Sequence, residues 1–159
     1  MDTPWLTSVL TRGLDPDPSA PWRAGPRGQL ERDVRSGTVV RVVGDVVVAA
    51  DVEVDAHVRA RALGLLLPAG VVVLAEAALW VHAGPPLPAP AEVRVACRRL
   101  PRPGADGPVR VVFGRARPPA ADVVVVGPLR VTTPARSLRD VAAGAPAPGA
   151  VRSSAAATP

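Results

Sequence analysis

The chain has 159 residues, among them 14 Gly, 20 Pro and 28 Val but no Ile, Lys, Asn or Tyr, so one ordinary domain or two very small ones must be packed from Val, Leu and Ala with almost no rings. Without Lys there is no P-loop phosphate ligand, no Schiff base and no Ser–Lys pair, and one Cys with two His makes neither a four-ligand zinc site nor an internal disulfide, as suits a reducing cytoplasm. The formal net charge of +5 is uneven: residues 1–57 hold 6 Arg against 9 acids, whereas residues 58–159 hold 13 Arg against 5.

In chain order, residues 1–27 are Pro-rich and are expected to be irregular, apart from a short helix around 4–11, with Trp5 and Trp22 as isolated anchors. Leu30 and Val34 are four apart and share one face of a short helix over 28–36, which Gly37 stops. The β-branched runs 38–43 and 46–50 flank Gly44-Asp45, the pattern of a type II′ hairpin. Together these segments resemble the last helix and the wing of a winged helix. Val58, Ala62, Leu65 and Leu66 give residues 55–67 helical periodicity, and Pro68-Ala69-Gly70 ends the helix. The continuous apolar run 71–74 reads as a strand buried on both faces, and 75–81 as a short apolar helix that carries Trp80 and leads into His82. Beyond a Pro-rich loop, strands are expected at 92–97 and 109–113, joined by the Arg/Pro loop 98–108. Residues 122–126 and 129–132 can pair across Gly127-Pro128. Thr133 is a good N-cap and Pro134 suits the first position of a helix over 134–142. From residue 144 the Ala/Pro/Ser/Gly composition reads as a disordered tail.

The expected fold is α+β: a mainly antiparallel sheet with three or four helices, preceded by a partial winged helix. In segments, this is an irregular 1–27, a helix and wing over 28–54, an α+β domain over 55–143 and a tail over 144–159. The twenty residues 62–81 contain a single charge, Glu76, and their length alone permits a membrane span. Glu76 would cost a few kcal/mol in hydrocarbon, and Pro68-Ala69-Gly70 breaks a helix near its middle, so the segment reads as helix, turn, strand, helix with no membrane partner. Asp2 and the lack of early basic residues argue against a secretory leader, and a cytoplasmic location is expected.

The densest positive stretch runs from Arg94 to Arg117, with Arg at 94, 98, 99, 102, 110, 115 and 117 and only Asp106 opposing them. Such a patch can neutralise phosphates; solvated Arg at strand edges is the other reading. Phe113 is its single ring, so a base-stacking platform for single strands is not expected.

Three stretches carry a family resemblance. They are the helix end and hairpin from Arg35-Ser36-Gly37 to Val46; the turn and strand Leu67-Pro68-Ala69-Gly70-Val71-Val72-Val73 followed by Ala77-Ala78-Leu79-Trp80-Val81-His82-Ala83-Gly84; and the closing Leu129-Arg130-Val131-Thr132-Thr133-Pro134-Ala135-Arg136-Ser137-Leu138-Arg139-Asp140-Val141-Ala142. In this order, over about 28–143, they resemble actinobacterial proteins of the AbiEi antitoxin type. The resemblance implies a transcriptional regulator and antitoxin of a type IV toxin–antitoxin or abortive-infection system. Its partners would be double-stranded operator DNA and a nucleotidyltransferase-like toxin encoded nearby. It also implies that Thr133, Pro134, Arg136, Leu138 and Asp140 form a structural motif, in which the helix packs on the sheet through Leu138 and Val141 while Arg136 fixes its start. The chain departs from the pattern in five ways: no convincing helix pair precedes the wing, the region around the wing is net acidic, the wrong sign for phosphate contacts, Leu74-Ala75 stands where the family has a Ser or Thr cap, Val46-Val47-Val48 stands where an aromatic is common in the wing, and Ser137 replaces the usual Thr.

Candidate phosphate contacts are Arg32 and Arg35, on the one helix placed for recognition, with Arg41 on the hairpin and Arg94, Arg98, Arg99 and Arg102 in the basic stretch. Each also reads as a solvated surface charge, the more so because Glu31 and Asp33 sit beside the first two. Arg136 and Asp140 are spaced to pair on one helix. His82 next to Trp80 reads as a hydrogen-bonded core histidine and Cys97 as a buried thiol. His57, Ser137 and Asp140 can be written as a triad, but no nucleophile-elbow glycines accompany them. No catalytic residue, metal ligand or cofactor is assigned. The leading expectation is a non-enzymatic DNA-binding regulator or antitoxin; the alternative is a protein-interaction module without DNA contact.

Overall fold

A computed structural model of the chain describes residues 17, 19–84, 87, 92–97, 109–114 and 117–143. Within them, four helices and eight strands follow the order β1 (Trp22–Arg23), α1 (Arg27–Arg35), β2 (Val39–Val43), β3 (Val46–Ala49), α2 (Ala56–Gly64), β4 (Val72–Val73), α3 (Ala75–Ala83), β5 (Glu92–Ala96), β6 (Arg110–Gly114), β7 (Val123–Val126), β8 (Leu129–Thr132) and α4 (Pro134–Ala142). The strands form a three-stranded sheet, β1-β3-β2, and a five-stranded sheet, β6-β5-β4-β8-β7. The fold is α+β, as the sequence pattern predicts. Four of the six strand pairings are antiparallel, while β4 with β8 and β5 with β6 run parallel.

Local chemistry explains most element boundaries. Gly44 takes φ 59°, the left-handed value that the first central residue of a II′ turn requires, and Val43 pairs with Val46 across it. Trp22–Arg23 lies in the segment expected to be irregular, yet it adds a short strand beside β3. Asp55 caps α2 by accepting from the Val58 N–H at 2.8 Å, and Thr133 caps α4 by accepting from the Arg136 N–H at 3.3 Å, with Pro134 opening the helix. By contrast, α3 begins at Leu74 with no side-chain cap, and Ala75 holds φ 51°, a left-handed conformation rare outside Gly.

The run 71–73 is buried throughout, because β4 lies between β5 and β8 in the middle of the sheet. The main core gathers Ala60, Leu63, Val73, Ala77, Trp80, Val81, Val93, Val95, Leu129 and Val131, and it also includes Val43 and Val46 from the hairpin. The hairpin therefore shares the core of the larger sheet. A second, smaller cluster of Leu30, Val39 and Val47, with Trp22 and Val34 against it, docks α1 on the small sheet.

The closing helix corrects one expectation. Leu138 does not pack on the sheet: it is 58% exposed, and the inward residue of α4 is Ser137, which has no exposure. Thr132 lies beneath this face, and its hydroxyl meets that of Ser137. The docking of α4 is thus made by a small polar pair that a reading by hydrophobicity passes over.

Candidate nucleic-acid interface

Two surfaces carry the Arg residues singled out in the sequence. The first is the outer side of α1 with β2. Burial of Leu30 sets the phase of the helix, which places Arg27, Glu31 and Arg35 on one row at four-residue spacing. Arg41 of β2 reaches the same carboxylate and donates to Glu31 Oε1 at 2.7 Å. The Arg41 guanidinium, with smaller contributions from Arg27 and Arg35, holds the Glu31 carboxyl below its ordinary range. One guanidinium therefore contacts the carboxylate, and two more lie one helical turn to either side of it, on a surface open to water. Arg32 lies on the other side of the helix. It donates to Gln29 Oε1 at 2.7 Å, and the Gln29 amide donates to Asp33 Oδ1 at 2.6 Å, so Arg32 belongs to a separate polar chain. Arg27 was missed in the sequence because it sits at the helix boundary, where local patterns are least decisive.

The second group lies on one face of the five-stranded sheet, where Val72 and Ala96 of the central strands are buried. The register sets Glu92 opposite Arg110, Arg94 opposite Val112, and Val72 opposite both Ala96 and Arg130. Because side chains alternate along a strand, these residues share the face away from Val73, Val93, Val95 and Val131 of the core. Arg94, Arg110 and Arg130 thus lie on one side of the sheet. Glu92 is the single acid among the described strand residues of that face, in contact with Arg94 at 3.5 Å and with Arg110 at 3.7 Å. Arg98, Arg99 and Arg102 lie outside the described residues.

The remaining candidates have structural roles. Arg136 donates to Asp140 at 2.8 Å and to Asp122 at 2.9 Å, which ties the first turn of α4 to the start of β7 and raises the guanidinium pKa further. His82 Nε2 lies 2.8 Å from the Thr132 carbonyl oxygen, joining α3 to β8. Cys97 is buried, and burial pushes its thiol pKa up, the opposite of what a nucleophile needs. Sequence reasoning did not find Arg59, whose guanidinium donates to the carbonyls of Val54 at 2.6 Å, Val81 at 3.1 Å and His82 at 3.4 Å. It places a positive charge at the C-terminus of α3 and packs beneath Gly84, where a Cβ would come within 2.9 Å of Nη1. Among the described residues there is no cluster of three His, Cys, Asp or Glu able to hold a metal, and no helix long and apolar enough to cross a membrane.

No family model matches the chain, and neither the curated proteins nor the solved structures give a match.

Proposed function

We propose that the chain is a non-enzymatic, cytoplasmic DNA-binding regulator of the antitoxin type, which represses its own operon and pairs with a nucleotidyltransferase-like toxin encoded nearby. The observation that carries this reading is the Arg41–Glu31 ion pair between hairpin and α1, with Arg27 and Arg35 one turn to either side of Glu31 on the same row of the helix. A phosphate offered to this cluster competes with Glu31 for Arg41 and meets two further guanidinium groups. The layout supports the reading too, since the helix leads directly into a two-residue hairpin whose second strand lies between β1 and β2, as in a helix and wing. Arg94, Arg110 and Arg130 add a second basic group, and Phe113 points to the opposite, core-packed face, so contact with the phosphate backbone suits the site better than base stacking.

The test is binding to the upstream DNA of its own gene beside a random duplex at about 50 and 200 mM salt, because counterion release makes phosphate-driven affinity fall steeply with salt. Preference for the upstream fragment, lost when Arg27, Arg35 and Arg41 are all changed to Ala, supports a regulator. No binding at low salt rejects it. The second reading, a protein-interaction module, is favoured by the exposure of Leu138 on the outer face of α4.

A further inference from the structure

The two sheets present four outer strands: β1, β2, β6 and β7. The first three carry Arg23, Arg41 and Arg110 respectively, each of which has an ion-pair partner but remains well exposed on the strand itself, and a charged side chain on an edge strand discourages pairing with another chain. This holds most strongly against a second copy of a chain whose own net charge is +5. β7 is different. It reads Val123-Val124-Val125-Val126, without charge or Pro, and it pairs with β8 in unbroken register. The adjoining Asp122 is neutralised internally by Arg136 and Arg139. Val125 is 73% exposed, more than any other large hydrophobic residue among those described.

The backbone agrees with the side chains. Val126 and Leu129 flank a two-residue turn and form its hydrogen-bonded pair, so Val125 and Arg130 form the next, non-hydrogen-bonded pair. The N–H and C=O of Val125 therefore point away from β8, and among the described residues no further strand meets them. An uncharged strand with outward backbone groups and an exposed valine is a template for another strand.

We propose that β7 is a self-pairing edge, through which two copies of the chain join antiparallel about a two-fold axis at Val125. With the axis normal to the sheet, Val125 opposes Val125 of the second copy and Val124 opposes its Val126. Every residue then meets one on the same face, so the core-packed faces of both sheets stay on one side. The two five-stranded sheets become continuous, and the most exposed valine gains a β-branched cross-strand neighbour. No like charges are opposed along the strand.

One strand pair makes a small interface, so association belongs at the weak end and is sought at high protein concentration. Sedimentation of the full chain at rising concentration is expected to show a shift from monomer to dimer, and Val125→Lys, with an unchanged circular dichroism spectrum, is expected to stay monomeric. Residues in a hydrogen-bonded antiparallel pair have Cα atoms about 5.5 Å apart, within disulfide reach. Under mild oxidation Val125→Cys should therefore yield a cross-linked dimer, while Val124→Cys, Leu138→Cys and the wild-type chain with its buried Cys97 should not. A wild-type chain monomeric at every concentration overturns the proposal and leaves the edge to a different partner. Cross-linking of Leu138→Cys as efficient as that of Val125→Cys reveals mere collision and overturns it equally.

Discussion

The hydroxyl oxygens of Thr132 and Ser137 lie 2.7 Å apart, and neither residue has any exposure to solvent. Thr132 ends β8 and Ser137 sits one turn into α4, so this bond seats the closing helix on the large sheet. Ser137 Oγ also lies 2.9 Å from the Thr133 carbonyl, while Thr132 Oγ1 reaches the Val73 carbonyl only at 3.4 Å. Of the two hydroxyls, that of Thr132 depends more on the pair.

Ser137→Ala should therefore destabilise the chain by about 1–2 kcal/mol, because a buried hydroxyl loses its short partner. Urea unfolding of Ser137→Ala, Thr132→Val and the double variant decides the matter. The double variant removes both polar groups together and is expected to cost less than the sum of the singles. Strict additivity contradicts a direct bond between them.

Ser137 also marks where sequence reading stops. The Thr133 cap, Pro134 at the helix start, the Gly44-Asp45 hairpin and the buried 71–73 strand rest on local chemistry and are legible from a few neighbouring residues. Which face of α4 turns inward is not local. Hydrophobicity ranks Leu138 first, but α4 packs on α3, whose buried residues include the small Ala77 and Ala78, and it seats Ser137 over Thr132. The parallel pairing of β5 with β6 is equally beyond local patterns, since it depends on how the chain crosses between them. At the candidate interface, Arg35 and Arg41 were visible as charges. Their placement with Arg27 about Glu31 required the helix phase and the register of the hairpin.

At the start of α3, Ala75 is held at φ 51°. A left-handed conformation costs an L-residue about 1–2 kcal/mol, and Gly adopts it without penalty. Ala75→Gly regains that strain while losing a buried methyl worth about 0.8 kcal/mol. Ala78, with no exposure in the middle of the same helix, has no strain to regain. Ala78→Gly is thus expected to be the more destabilising by about 1–2 kcal/mol. Equal costs in thermal or urea unfolding contradict the strain at Ala75.

Asp17 gives a signature in acid. The Ser19 hydroxyl and then the Arg61 guanidinium bond its carboxylate, lowering the pKa from 3.8 to about 2. A lowered folded-state pKa stabilises the fold above the unfolded value and loses that contribution as the pH falls through the folded one. The stability difference between wild type and Asp17→Asn should therefore be constant above about pH 4 and shrink toward pH 2. Melting temperatures measured across pH 2–5 check this; a difference that does not change over that range shows that Asp17 keeps no bonded carboxylate in the folded chain.

Glu31 separates specific competition from bulk charge on the proposed DNA surface. Its carboxylate occupies Arg41 at 2.7 Å, with Arg27 and Arg35 one turn away on either side, so it holds the place proposed for a phosphate. Glu31→Gln should tighten duplex binding and steepen the dependence of log affinity on log salt by up to about one unit, since each phosphate neutralised contributes about 0.9. Arg41→Ala should weaken binding and flatten the slope by about the same amount. Asp51→Asn changes net charge identically at an exposed site on the turn after β3 and serves as the control. If Glu31→Gln and Asp51→Asn raise affinity equally, the effect belongs to overall charge and α1 is not the contact surface. If Glu31→Gln alone steepens the salt dependence, Arg27, Arg35 and Arg41 act together on the DNA backbone.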